Sequence, residues 1–208
     1  MYLAASGVGH ITLADHDVVD LTNLQRQIAH TTERVGQAKV HSAALAMHAL
    51  NPDVRITSLQ EKLNALQLDS LVANANVVLD CCDNFQTRQA INAACVKHRV
   101  PLVSGAAIRM DGQLAVYDSR DPASPCYACL FPPDEAPEEV RCATLGVLAP
   151  LVGVIGTLQA TEAVKLLAGI GSALPGRLQM LDGRRLEWSE MRFARQPACP
   201  VCGSGHAP

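Results

Sequence analysis

The sequence predicts an α/β protein built on a mostly parallel sheet and finished by antiparallel strands toward its C-terminus. Three observations carry that expectation. Short apolar runs alternate with segments of helical periodicity as far as residue 105. Further on, an Asp-Gly dipeptide sits between two strand-like runs, and two more such runs lie near the end. Finally, two Cys-x-x-C pairs, Cys126 with Cys129 and Cys199 with Cys202, occur in PCYACL and ACPVCG.

Taken in order, Tyr2, Leu3 and Ala4 end a helical stretch, Gly7 and Gly9 break it, and Ile11, Thr12 and Leu13 form a strand that stops at Asp15. Residues 36–50 place Val40, Ala43, Ala44, Met47 and Leu50 on one face at helical spacing, and Asn51-Pro52 stops the run. Residues 54–59 read as a strand, 64–74 as a helix, 76–81 as a buried strand, 84–98 as a helix and 101–105 as another strand. Such a βαβ series implies parallel pairing. In 106–118 the Asp-Gly turn favours an antiparallel hairpin. The Pro-rich, acidic stretch 121–139, with its five prolines, reads as an exposed crossover loop. A long helix over roughly 147–168 follows, whose Gly153 and Gly156 suggest close backbone packing. RLQMLDG and EWSEMRFA read as two closing strands.

A strand that ends on an acidic residue after a helix is how mononucleotide and dinucleotide folds hold ribose hydroxyls, so the sheet is expected to be Rossmann-like. Normally a strand and a Gly-x-Gly-x-x-Gly turn come first. Here Met1 stands where the following helix is already under way, so the expected fold lacks the first strand and the glycine-rich turn whose amides bind anions.

Composition sets bounds on function. With 208 residues, 49% hydrophobic and 18% charged, the chain is long enough for one substantial core and reads as a single domain. A net charge of -3 gives no bulk attraction to nucleic acid or to anionic membranes, and neither is expected as a partner. No secretory signal opens the sequence, and the longest apolar stretch, 147–156, is too short to span a bilayer. Eight cysteines in such a chain point to a reducing, cytoplasmic setting and to metal or thiol chemistry.

Four thiolates from the two Cys-x-x-C pairs can surround one zinc tetrahedrally. The alternatives are two unrelated thiol pairs or a redox dithiol. In 20–30, Asn23 and Arg26 share one side of a helical turn and can reach phosphate oxygens, while Lys39 begins the next helix with a second positive charge. Taken singly, these are ordinary surface residues. Asp83 shifts the balance, because it follows an apolar strand just before Asn84 opens a helix, at the sheet edge where ligands bind. A carboxylate there can hold Mg²⁺ against a triphosphate. Cys81, Cys82 and Cys95 are expected in the core, and the histidines have no metal spacing.

In order, DLTNLQRQ, GQAKV, LDCCDN, PLVSGAAIRMDGQ, PCYACL, LAPLVGVIGTLQATEAVKLLAG and CPVCG resemble the MoeB/ThiF/HesA family, bacterial relatives of ubiquitin-activating enzymes. The resemblance spans nearly the whole chain; SGAAIRMDGQ is most similar to the molybdopterin-synthase branch and LDGRRLEW to the thiamine branch. It implies an adenylyltransferase that uses ATP and Mg²⁺ to activate the C-terminal glycine of a ubiquitin-like sulfur carrier ending in Gly-Gly. A sulfurtransferase would be a further partner, and the full-length form a homodimer. By motif position, Asp15 would hold the ribose. Thr22, Asn23, Leu24, Gln25 and Arg26 would line the nucleotide site, with Arg26 on phosphate. Lys39 would neutralise developing charge, and Asp83 with Asn84 would place metal and phosphates. Cys126, Cys129, Cys199 and Cys202 match the family's Zn²⁺ ligands. Cys142 falls where members carry a cysteine able to form a thioester or persulfide; its other reading is a half-buried loop thiol.

The family's first strand, glycine turn and preceding helix have no counterpart in this sequence. A central strand buries several aliphatic side chains at roughly 1.5–3 kcal/mol each, comparable with the roughly 5–15 kcal/mol stability of a typical domain. The chain is therefore expected to adenylate poorly, with a catalytically impaired zinc-bearing scaffold that binds the carrier as the alternative function. A nicotinamide-dependent oxidoreductase would also use Asp15, but offers no reason for Asn23, Arg26, Lys39 and Asp83 together.

Overall fold

In the computed structural model, residues 1–135 and 146–203 are described. They fall into two compact units, Met1–Asn64 and Ala65–Pro208.

The first unit is one βαβ crossover with a short leading helix. Helix α1 (Tyr2–Ala5) ends at Ser6-Gly7, and the left-handed backbone of Gly7, φ 79°, turns the chain into β1 (His10–Ala14). After two 3-10 turns, Leu21–Asn23 and Thr32–Arg34, helix α2 (Lys39–Leu50) returns the chain to β2 (Arg55–Leu59). β1 and β2 pair in parallel from His10↔Arg55 to Ala14↔Leu59. Ala4, Ile11, Met47 and Val54 form the core, joined by Leu3, Val8, Leu13 and Ile56. The expected helical face is partly right: Val40 and Met47 are buried, but Leu50 is 52% exposed because α2 ends there and Asn51 turns away in extended conformation.

The second unit holds α3 (Ala65–Ala73), β3 (Val78–Asp80), α4 (Phe85–His98), β4 (Leu102–Ile108), β5 (Asp111–Tyr117), α5 (Tyr127–Leu130), α6 (Ala149–Leu167), β6 (Arg177–Asp182) and β7 (Glu187–Arg192). Its five strands are ordered β3-β4-β5-β6-β7. β3 and β4 run parallel, as their α4 crossover requires, and every later pair is antiparallel. Helix α6 packs across β3, β4 and β5, while α3 packs on α4. The core joins Ile91, Ala94 and Cys95 of α4 to Leu102, Ala115, Tyr117, Tyr127 and Leu178. No helix among the described residues is long and apolar enough to cross a membrane.

The β4–β5 hairpin turns at Arg109-Met110, not at Asp111-Gly112. Arg109 adopts φ 51°, its N–H donating to the Gly146 carbonyl at 2.9 Å and its carbonyl accepting from Leu148 at 2.8 Å, so a tertiary tether fixes the turn. Gly112 instead lies within β5 under Ile155, whose Cδ1 would sit 2.7 Å from a Cβ placed there. Gly153 and Gly156 are exposed, with no atom within 4 Å of such a Cβ; the close approach belongs to Gly105 and Gly112 on the sheet side. The Pro-rich stretch is not exposed throughout, because Ser124–Cys129 are buried and Tyr127 joins the core, its ring 5.9 Å edge-on from Tyr117 and 4.8 Å from Phe131. Of the three cysteines expected in the core, Cys95 is buried and Cys82 packs against it, but Cys81 is exposed because β3 stops at Asp80.

Candidate functional site

Two Cys-x-x-C turns far apart in sequence meet in the second unit. Cys126 is the N-cap of α5 and Cys129 lies one turn along it. Cys199 and Cys202 come from the chain after β7. All four sulfurs lie within 4.8 Å of one another, Cys126 Sγ 3.7 Å from Cys199 Sγ and Cys129 Sγ 3.4 Å from Cys202 Sγ. Four sulfurs at about 2.3 Å from a tetrahedral zinc stand about 3.8 Å apart. Two of the six separations lie near that value and none exceeds 4.8 Å, so the cluster is of a size, and the donor set of a kind, that suits zinc. Neither contact is a disulfide, both being well beyond the roughly 2.05 Å of an S–S bond, and all four cysteines are free thiols.

Two of the sulfurs receive hydrogen bonds from polar groups around them. Asn92 Nδ2 donates to Cys126 Sγ at 3.6 Å, and the Gln196 amide donates to Cys129 Sγ at 3.4 Å. Asn92, fully buried on α4, also accepts the Tyr127 amide at 2.9 Å, so one side chain ties helix, aromatic core and sulfur together. The hydrogen bond from the Cys126 thiol draws the Cys129 thiol down to about 4, while the same bond and burial push Cys126 up. Burial raises Cys202 to about 11. A metal that replaced the shared proton would satisfy all four.

At the carboxyl end of β3, Asp80 is 1% exposed and ion-paired to Arg88 of α4, Nη1 to Oδ2 at 3.1 Å. Ser104 Oγ donates to the same oxygen at 2.9 Å. Gln159 of α6 donates to the Asp80 carbonyl at 2.8 Å and the Val103 carbonyl at 3.3 Å, bridging two neighbouring parallel strands. Gln159 fits because Gly105 opposite it lacks a Cβ. Beyond this network Asp83 is exposed, and Asn84 caps α4, its Oδ1 accepting the Thr87 amide at 2.9 Å.

The first unit gathers the other candidates. Residues 17–19 pair with 36–39: Val19 N–H donates to the Gln37 carbonyl at 2.8 Å, Gly36 N–H to the Val19 carbonyl at 2.8 Å and Lys39 N–H to the Asp17 carbonyl at 3.0 Å. That pairing brings Lys39 Nζ to 2.8 Å from Asp17 Oδ2. Asp15, just past β1, accepts the Asp17 amide on Oδ1 at 2.9 Å. Asp20 caps the first 3-10 turn by accepting the Thr22 amide at 2.8 Å and hydroxyl at 2.5 Å, which holds its carboxyl below the usual range. Asn23 returns the contact by accepting the Asp20 amide at 3.2 Å. Arg26 Nη1 donates to the Thr22 carbonyl at 3.1 Å, Leu24 is half-buried and Gln25 is exposed. Cys142 lies outside the described residues.

Sequence reasoning missed Asp17, Asp20, Asp80, Arg88, Asn92, Ser104 and Gln159. Asp80 and Gln159 did carry a signal, since each interrupts an apolar run and a buried polar group demands a partner. Asp17 and Asn92 carried none, because their partners are distant in sequence.

Together these features define a Rossmann-like α/β protein bearing a four-cysteine metal-type cluster. The chain belongs to the ThiF family, whose pattern matches residues 1–201. It is 47% identical over 205 residues to the molybdopterin-synthase adenylyltransferase of Escherichia coli, covering 97% of this chain and 80% of the relative. It is 46% identical over 207 residues to the sulfur carrier protein ThiS adenylyltransferase of the same organism, covering 100% and 81%. Among solved structures, E. coli MccB with ATP shares the fold at a TM-score of 0.82 and 21% identity, covering 97% of this chain and 61% of that chain, so less than two thirds of MccB is matched.

Proposed function

We propose that this chain activates the C-terminal glycine of a ubiquitin-like sulfur carrier by ATP-dependent adenylation. The observation that carries the reading is the near-complete match, at 47% and 46% identity, to two proteins named as adenylyltransferases, one of them for a sulfur carrier. In this reaction a carrier carboxylate oxygen bonds to the α-phosphorus of ATP, the bond to the β-phosphate oxygen breaks, and pyrophosphate leaves with an acyl-adenylate formed. The step needs alignment and charge compensation rather than an acid or base, so positioned side chains suffice.

In this reading Asp15 holds the ribose, Thr22 to Gln25 line the nucleotide, Arg26 and Lys39 meet the phosphates, and Asp83 with Asn84 sets the metal end. The exposed Asp83 carboxylate would hold Mg²⁺, which would supply charge compensation for the leaving pyrophosphate. Zn²⁺ at Cys126, Cys129, Cys199 and Cys202 is structural, because four protein ligands leave no open position. Cys142 is assigned the later sulfur-transfer link, with a sulfurtransferase as donor and a second copy of the chain as dimer partner.

The test is exchange of labelled pyrophosphate into ATP with carriers of the molybdopterin-synthase and ThiS types. Exchange that depends on an intact Gly-Gly end supports the proposal. Carrier binding without exchange would favour the non-catalytic scaffold.

A further inference from the structure

Between β3 and α4 the chain turns through Cys81, Cys82 and Asp83, and the backbone of Cys82 is gripped from both sides. Its N–H donates to Asp80 Oδ1 at 2.9 Å, and its carbonyl accepts from Arg88 Nη2. The guanidinium is itself fixed: Nη1 lies 3.1 Å from Asp80 Oδ2 and 3.1 Å from Ser104 Oγ, and Nη2 donates to the Gly105 carbonyl at 3.1 Å. Ser104 completes a closed ring by donating to Asp80 Oδ2.

Arg88 follows the Asn84 cap by one helical turn, its amide 3.3 Å from the Asn84 carbonyl, so its head group folds back beneath the turn that precedes the helix. Asp83 therefore stands between two fixed points. On one side Cys82 is clamped at both backbone polar groups; on the other Asn84 is locked by its capping bond to Thr87. The Asp83 side chain remains exposed. A buried Asp–Arg pair is weak evidence for stability, since desolvation consumes much of its attraction and apolar residues often serve as well. What an apolar pair cannot do is hold a backbone N–H and a carbonyl of the same residue in one orientation.

We infer that Asp80 and Arg88 are positioning residues that hold the Cys82 backbone so that Asp83 presents its carboxylate in a fixed place for the metal-bound triphosphate. The inference rests on the adenylation reading for Asp83, and on these contacts for the rest. Neither residue touches substrate in this role. Charge alone is not enough, because the fork of the guanidinium serves the Asp80 carboxylate, Ser104 and two carbonyls at once, a pattern a lysine cannot reproduce.

The experiment compares the unaltered chain with Arg88→Lys, Asp80→Asn and the milder Ser104→Ala, each checked for zinc content and native near-ultraviolet circular dichroism. Carrier-dependent pyrophosphate exchange is measured across Mg²⁺ concentrations, and amide hydrogen exchange is followed at residues 81–84. Arg88→Lys and Asp80→Asn should lower kcat by about 10- to 100-fold, leave the ATP KM within about threefold and raise the Mg²⁺ midpoint, with faster amide exchange at Cys82 and Asp83. Ser104→Ala should fall between, and it decides the matter should the other two not fold. A folded variant with unaltered kcat and Mg²⁺ dependence overturns the inference, as does unaltered amide exchange in the turn. Absence of activity in the unaltered chain counts against the functional reading alone, because amide exchange needs no substrate and judges the clamp independently.

Discussion

Lys39 and Asp17 are joined twice, Nζ to Oδ2 at 2.8 Å and the lysine amide to the aspartate carbonyl at 3.0 Å. The cation proposed to meet phosphate is thus paired with a carboxylate, and under that proposal triphosphate competes with Asp17 for it. The hydrogen bond from Lys39 holds the Asp17 carboxyl below its ordinary 3.8. A carboxyl whose folded value is depressed contributes stability above the unfolded value, and loses it as pH falls through the folded one. The pair is therefore fully formed at neutral pH and gives way only below about pH 3.8. Exposed or half-exposed pairs are worth roughly 0.2–1 kcal/mol, so Asp17→Asn should tighten binding of a non-hydrolysable ATP analogue by up to about fivefold, and Lys39→Ala should weaken it. Calorimetry at pH 7 reads both. Weaker binding in Asp17→Asn would make Asp17 itself a nucleotide contact.

The four-sulfur cluster predicts one zinc per chain, measurable by elemental analysis. Ligand that binds only the folded form adds about 4 kcal/mol when it is a thousandfold above its Kd. For a chain of this size each kcal/mol moves Tm by about 2–4 °C. Stripping the metal with a strong chelator, or Cys202→Ser, should lower Tm by about 8–16 °C, and added zinc should restore the stripped chain but not the variant. A chelated chain that melts unchanged would show that the four thiols are packed without metal.

What the sequence made legible was local. Gly7 as a break, Asp15 past a strand, Lys39 at a helix start and Asn84 at a helix opening are written in neighbouring residues, and the structure places each at that element boundary. The cysteine pairs were legible for a similar reason: each Cys-x-x-C aims two sulfurs at one point, and shared chemistry links the pairs across the gap. The Asp80–Arg88–Ser104 ring was not, since it draws on two strands and a helix whose register no local pattern fixes. Gly153 and Gly156 misled because a glycine shows that space is wanted somewhere without saying on which side. The demand came from Ile155 and Gln159 against the sheet.

That distinction can be measured. A methyl at Gly105 would collide with the Gln159 side chain, forcing it off the Asp80 and Val103 carbonyls. Overpacking costs about 1–3 kcal/mol, and each lost hydrogen bond to a buried carbonyl adds about 0.5–1.5 kcal/mol. Gly105→Ala should therefore lose at least about 2 kcal/mol in urea unfolding. Gly153 is exposed in mid-helix with open space around it, so Gly153→Ala should gain about 0.5–1 kcal/mol from helix propensity. Equal effects at the two sites would contradict the packing described for α6.

Asn92 separates two roles that a single truncation would merge. Its Oδ1 accepts the Tyr127 amide and its Nδ2 donates to Cys126 Sγ. Asn92→Ala removes both, leaving a buried N–H without an acceptor at a cost of about 1–3 kcal/mol, and should destabilise the chain with or without zinc. Asn92→Asp keeps an acceptor for Tyr127 but replaces a donor with a carboxylate beside the sulfur, adding like charge where thiolate must persist. The metal-free stability of Asn92→Asp should then lie closer to the parent than that of Asn92→Ala. Its zinc affinity should fall by about 10- to 100-fold, the range seen when groups behind metal ligands are changed. Competition against a chelator of known affinity reads the zinc affinity, and thermal unfolding of the stripped chain reads the stability. Asn92→Asp with parental zinc affinity would assign this side chain to the aromatic core alone, and the Cys126 contact would carry no part in holding the metal.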